Sequence, residues 1–173
     1  MEYELARSQW SFKTAVEISA ALAAKKVSAV ELAQDAIGRI ERHDGKINAM
    51  CVRDFVRGLE AARAADAARA RGETAPLLGI PVTVKESYNV AGLPTTWGFP
   101  PQKDFVASED ALSICRVKQA GGVILGKTNV PVGLADWQSY NEIYGTTNNP
   151  FDHGRTPGGS SGGSSAALAA GYG

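Results

Sequence analysis

The stretch RTPGGSSGGSSAALAAGY, residues 155–172, sets Gly158, Gly159, Gly162 and Gly163 around Ser160 and Ser161. Its composition alone reads as a flexible Gly/Ser linker. Ser164 to Ala170, however, carries four alanines and a leucine with no breaker, so the glycines lead into a helix. A helix N-terminus beneath a serine-bearing turn gathers unsatisfied backbone N–H groups beside two hydroxyls, an arrangement suited to a catalytic serine.

The rest of the chain narrows what such a turn could serve. Its 173 residues carry 18 basic and 18 acidic side chains, so no net field draws it to nucleic acid or an anionic membrane. A small molecule is the expected partner. Met1-Glu2-Tyr3-Glu4 has no basic leader and no apolar run follows, which reads as a cytoplasmic protein without signal or membrane span. Cys51 and Cys115 are too few for a disulfide framework, and His43 and His153 fall in no metal-ligand spacing, so reduced thiols and no metal are expected.

Two T/S-x-x-E capping boxes, Thr14 with Glu17 and Ser28 with Glu31, open helices expected over about 15–25 and 29–43. A third, Ala-rich helix over about 55–71 stops where Gly72 can take the left-handed conformation. The helical lead-in thus occupies about residues 1–75. From about 76 the character changes: GIPVTV reads as a buried strand delivering Lys85 at its end. Ser108 is expected to cap a helix to about Ala120, after which Gly121 and Gly122 stop it and Val123, Ile124 and Leu125 form a second strand. Beyond Pro131 the chain reads as loop with one short helix near 132–138. The fold class is α/β.

Lys85 has two readings: a solvated lysine at a strand end, or an amine entering an apolar interior among Val82, Val84, Tyr88 and Val90. In the second, desolvation yields a neutral base, which requires a fall of about three pH units, roughly 4 kcal/mol against the protonated form. GGVILGKT, residues 121–128, matches the pattern G-x-x-x-x-G-K-[ST] of a phosphate-binding loop. Its context is wrong for nucleotides, because a helix precedes it and Asn129-Val130-Pro131 follows, so it reads as a helix stop plus a strand, with Lys127 and Asn129 bracing the site from the strand's end. Asn148 and Asn149 before Pro150 read as turn formers. Trp97, Tyr140 and Tyr144 suit either core or cleft.

TPGGSSGGSSAALAAG resembles the core motif of the amidase signature family, amide hydrolases with a Ser/cis-Ser/Lys triad. GIPVTVKES, AGLPTTWG, ILGKTN and YGTTNNPFD follow the family's order, so the resemblance runs from about Thr14 to the last residue. It implies an amidase signature fold, a mixed β-sheet covered by helices, of which this chain would be the N-terminal part of a single domain. It also implies Lys85 as catalytic base and Ser160, after a cis peptide bond, as proton relay in acyl transfer from an amide to a serine and then to water. The nucleophilic serine is expected roughly two dozen residues past the position of Ser160, beyond residue 173. Glu86 stands where many members have aspartate, and no role is assigned to it. No cofactor is implied, and the substrate would be a small-molecule amide. The alternatives are a truncated non-catalytic homologue or a partner subunit of an amidotransferase-type complex, and, remotely, a nucleotide binder through GGVILGKT.

Overall fold

A computed structural model describes residues 8–173; the opening Met1–Glu4 lies outside them. Both capping boxes form. Thr14 Oγ1 accepts from Glu17 N at 3.2 Å while the Glu17 carboxylate accepts from Thr14 N at 2.8 Å, and Ser28 and Glu31 repeat the exchange, starting α1 (Ala15–Ala23) and α2 (Ala29–Ile47). α2 runs past His43 because its apolar stripe continues from Leu32, Ala36 and Ile40 to Ile47, and it ends on Asn48 in the left-handed conformation. α3 (Phe55–Ala70) closes as the sequence implies, with Gly72 at φ 84°, Gly72 N bonded to Arg69 O and Glu73 N to Ala68 O. Asp66 on α3 accepts from Ala29 N and Val30 N, seating the exposed donors of α2 on its neighbour.

The sheet begins earlier than expected. β1 (Met50–Arg53) lies inside the presumed helical lead-in and pairs antiparallel with β3 (Val123–Thr128), which pairs parallel with β2 (Pro81–Lys85) on its other side. The order β1-β3-β2 makes the sheet mixed. Val123 and Leu125 join the larger apolar core, built with α1–α3 and α5 (Gly162–Ala169), whereas Ile124 and Val84 join a smaller cluster with Val90, Leu93 and Ile114 of α4 (Leu112–Gln119).

β3 is bulged. Val82 pairs with Ile124 but Thr83 with Gly126, so one residue of β3 is extra. Gly126 sits at φ 146° with its backbone against Val52 O, where a Cβ has no room. The glycine that completes the phosphate-loop pattern thus sits at a strand bulge, and Lys127 belongs to the sheet.

Ser108 does not cap α4, which begins at Leu112 after Ala111. Residues before it are pinned as extended chain: Ala107 N bonds Leu93 O, Ala111 N bonds Asn89 O, and the Asp110 carboxylate takes Ala91 N and ion-pairs with Lys118 at 2.7 Å. The helix near 132–138 is only a 3-10 turn over Val132–Leu134, because Gly133 and Leu134 both take positive φ. The hairpin β4 (Tyr140–Asn141) and β5 (Gly145–Thr146) follows. Asn48 Nδ2 donates to Tyr144 O and Thr146 O, tying that hairpin to the end of α2.

Candidate active site

β2 delivers Lys85 and the glycine turn before α5 delivers Ser160; Lys85 Nζ donates to Ser160 Oγ at 2.8 Å. Partial burial depresses the lysine's pKa below its ordinary value by penalising the charged amine. Val84 and Val90 are buried with Ile124 and Ile114 of α4, and Tyr88 is exposed. The Gly159–Ser160 peptide bond is cis.

The glycines are there for close approach. A Cβ on Gly159 would lie 2.6 Å from the backbone of Asp136–Gln138, and one on Gly162 would lie 2.5 Å from Ser139 Oγ, which already accepts from Gly162 N at 2.9 Å. Gly163 rests directly on the Asn129 backbone. The turn is therefore clasped between the end of β3 and the 136–139 loop, the reverse of a flexible linker. Thr128, opposite Lys85 in the parallel register, shares a hydrogen bond of 2.7 Å with Ser164 on α5, so strand and helix meet beside the Lys85–Ser160 pair.

Asn129 does brace this corner: its side chain bonds Gly145 O, Thr147 Oγ1, Val130 N and Asn141 Nδ2. Lys127 is fully buried, donating to Pro94 O and, at 2.8 Å, to Thr95 Oγ1, so its amine is committed within the fold. Asn149 shapes a turn, accepting from Phe151 N, while Asn148 reaches the end of α2 through Lys46 O. Trp97 and Tyr140 are exposed, Tyr144 half-buried.

Sequence reasoning missed Glu86. Its carboxylate is fully buried and accepts from Thr96 N at 2.5 Å, Trp97 N at 3.0 Å and Tyr144 Oη at 3.2 Å. The available signal was a charged residue following Lys85 at the end of an apolar strand, which a buried carboxylate explains only if its partners are counted in advance. Among the described residues, no group of three or more His, Cys, Asp or Glu side chains is gathered as a metal site, and no helix is long and apolar enough to cross a membrane.

This architecture is that of amidase signature enzymes. It superposes on fatty acid amide hydrolase with a TM-score of 0.89 at 26% identity, covering 96% of this chain and 30% of that one. A structure described as a vestigial protein complex revealing the evolutionary origins of an s-triazine catabolic enzyme matches with a TM-score of 0.88 at 40% identity, over 92% of this chain and 35% of that one. The chain belongs to the amidase family, whose model matches residues 31–173. It is 43% identical to the A subunit of the glutamyl-tRNA(Gln) amidotransferase of Chromohalobacter salexigens across 92% of its own length, and spans 33% of that relative.

Proposed function

We propose that this chain carries the proton-handling half of a serine amide hydrolase within a single amidase domain, with Lys85 as base and Ser160 as relay. The observation that carries the reading is the 2.8 Å hydrogen bond between a half-buried, desolvated amine and a hydroxyl on a clasped glycine turn. In this scheme a nucleophilic serine, supplied from outside residues 1–173, gives its proton to Ser160 Oγ as Ser160 passes its own to neutral Lys85. The new serine ester forms as the amide C–N bond breaks, and the proton returns through Ser160 to the departing amine or ammonia. Water then hydrolyses the ester by the same path in reverse.

The identity with amidotransferase subunits favours a second form of the same chemistry, release of ammonia from a small amide inside a protein complex. A cytoplasmic setting belongs to this reading; Cys51 and Cys115 are both free thiols. The test grafts residues 1–173 in place of the corresponding third of an active amidotransferase relative and assays glutamine alongside aryl and alkyl amides. Lys85→Met and Ser160→Ala are each expected to lower kcat by at least about 100-fold, the size of an acid–base contribution. Full activity in Lys85→Met overturns the assignment.

A further inference from the structure

Lys127 on β3 and Glu86, directly after the end of β2, are both fully buried, and each is hydrogen-bonded to residues 94–97. What they share is a peptide segment. Lys127 takes its acceptors from Pro94 O and Thr95 Oγ1, and Glu86 takes its donors from Thr96 N and Trp97 N. Four consecutive residues are thus held with a carbonyl and hydroxyl toward the cation and two amides toward the anion, the orientation an electric field would select. A buried charge left alone is costly, so each grip depends on the other being made.

The segment so held carries Trp97, at φ 53°, a conformation side-chain-bearing residues avoid unless their surroundings enforce it. Its indole Nε1 donates to Ser87 O at 3.0 Å, two residues past Lys85, and the residue remains 44% exposed beside the reactive strand end. Tyr144 ties the 140–146 hairpin to the same carboxylate.

We propose that Glu86 and Lys127 are positioning residues that grip the segment 94–97 at its two ends and hold Trp97 as a wall for the apolar group of an aryl or alkyl amide substrate. This rests on Lys85 and Ser160 being the reactive pair. The burial that draws the Lys127 amine down to about 8 is opposed by the Glu86 charge, in keeping with an electrostatic link between the two groups.

Amide hydrogen exchange by NMR on the full chain tests it, with the Ile40 amide of the α2 core as internal reference. Glu86→Gln is expected to speed exchange at Thr96 and Trp97 by at least about tenfold relative to Ile40. Lys127→Met touches neither amide, yet is expected to speed both by a similar factor, and the double variant to go no further than the worse single one. Unchanged exchange at both amides in Lys127→Met overturns the clamp, and equal acceleration at Ile40 reduces it to general stability. Lys127→Arg, which keeps the charge, is expected to keep most of the protection; loss equal to that of Lys127→Met counts against an electrostatic grip. Benzamide is expected to shift the Trp97 indole N–H signal and glutamine to leave it in place; the reverse, or no shift with either, removes the wall. None of these readouts involves hydrolysis, so they stand or fail separately from the roles of Lys85 and Ser160.

Discussion

Two lysines at the ends of adjacent strands are treated differently by the fold. Lys85 is half-buried against a hydroxyl, whereas Lys127 is enclosed, its pKa brought from 10.5 to about 8 chiefly by burial. Between pH 8 and 10.5 Lys127 therefore holds fewer protons in the folded chain than in the unfolded one and by itself raises stability with pH, a rise that the Cys51 thiol, pushed up by burial, opposes above pH 9. Below it, the buried charge opposes folding. Thermal melts from pH 7 to 9 should show Tm climbing above pH 8, and the climb should vanish in Lys127→Met/Glu86→Gln, which removes both buried charges together. A climb unchanged in the double variant would assign it to another group. For Lys85 the sign works on rate: a base is competent when neutral, so hydrolysis in the grafted enzyme should rise with pH through a value below the ordinary 10.5 of lysine.

Elements show where sequence was informative and where it was not. The starts of α1 and α2 and the end of α3 were legible because a capping box or a terminal glycine is a local device, complete within a few residues. β1 was not, since Met50–Arg53 is four residues long, bulged, and held as a strand by β3 more than 70 residues away. Ser108 has the chemistry of a cap, but the Asp110 carboxylate binding Ala91 N and Lys118 keeps the chain extended until Ala111. The Lys85–Ser160 pair could be read from motifs; the Glu86 contacts could not, because the loop they hold is fixed by tertiary packing. Glycines on helices make the same point as an experiment. Gly38 of α2 has nothing within 4 Å of where a Cβ would stand, so Gly38→Ala should stabilise by about 1 kcal/mol through helix propensity. Gly58 of α3 would place a Cβ 2.9 Å from Leu125 Cδ2 and 3.1 Å from Ile124 O, so Gly58→Ala should destabilise by about 1–3 kcal/mol by pushing α3 off the sheet. Urea melts of the two variants should move in opposite directions.

The protein's serines bear on what the chain does by itself. Ser164 is committed to Thr128, Ser165 donates to Ser161 O, and Ser160 is engaged by Lys85. Residues 1–173 alone should show no turnover of glutamine, aryl or alkyl amides under conditions where the grafted enzyme is active. Turnover by the chain alone would place the nucleophile within it, with exposed Ser161 the first position to substitute. An apolar groove of about 530 Å³ runs from Trp10 and Phe12 past Leu32 and Ile80 to Leu168 and Gly173, along the unpaired side of β2. It lies against α5, the helix that follows the serine turn, through Ser164 and Leu168.

The extra residue in β3 makes the strand's length and its facing separable. With that residue counted out, Ile124 and Lys127 point one way and Leu125 and Thr128 the other, the alternation of a regular strand. Removing Gly126 from the gene would therefore leave amine and hydroxyl in phase with their partners, at the expense of re-pairing with β1. Inserting a residue after it would exchange them, turning the Lys127 amine toward α5 and the Thr128 hydroxyl toward the Glu86 loop. For a strand this short, a single residue lost at the bulge keeps the two faces, and a single residue gained after it exchanges them.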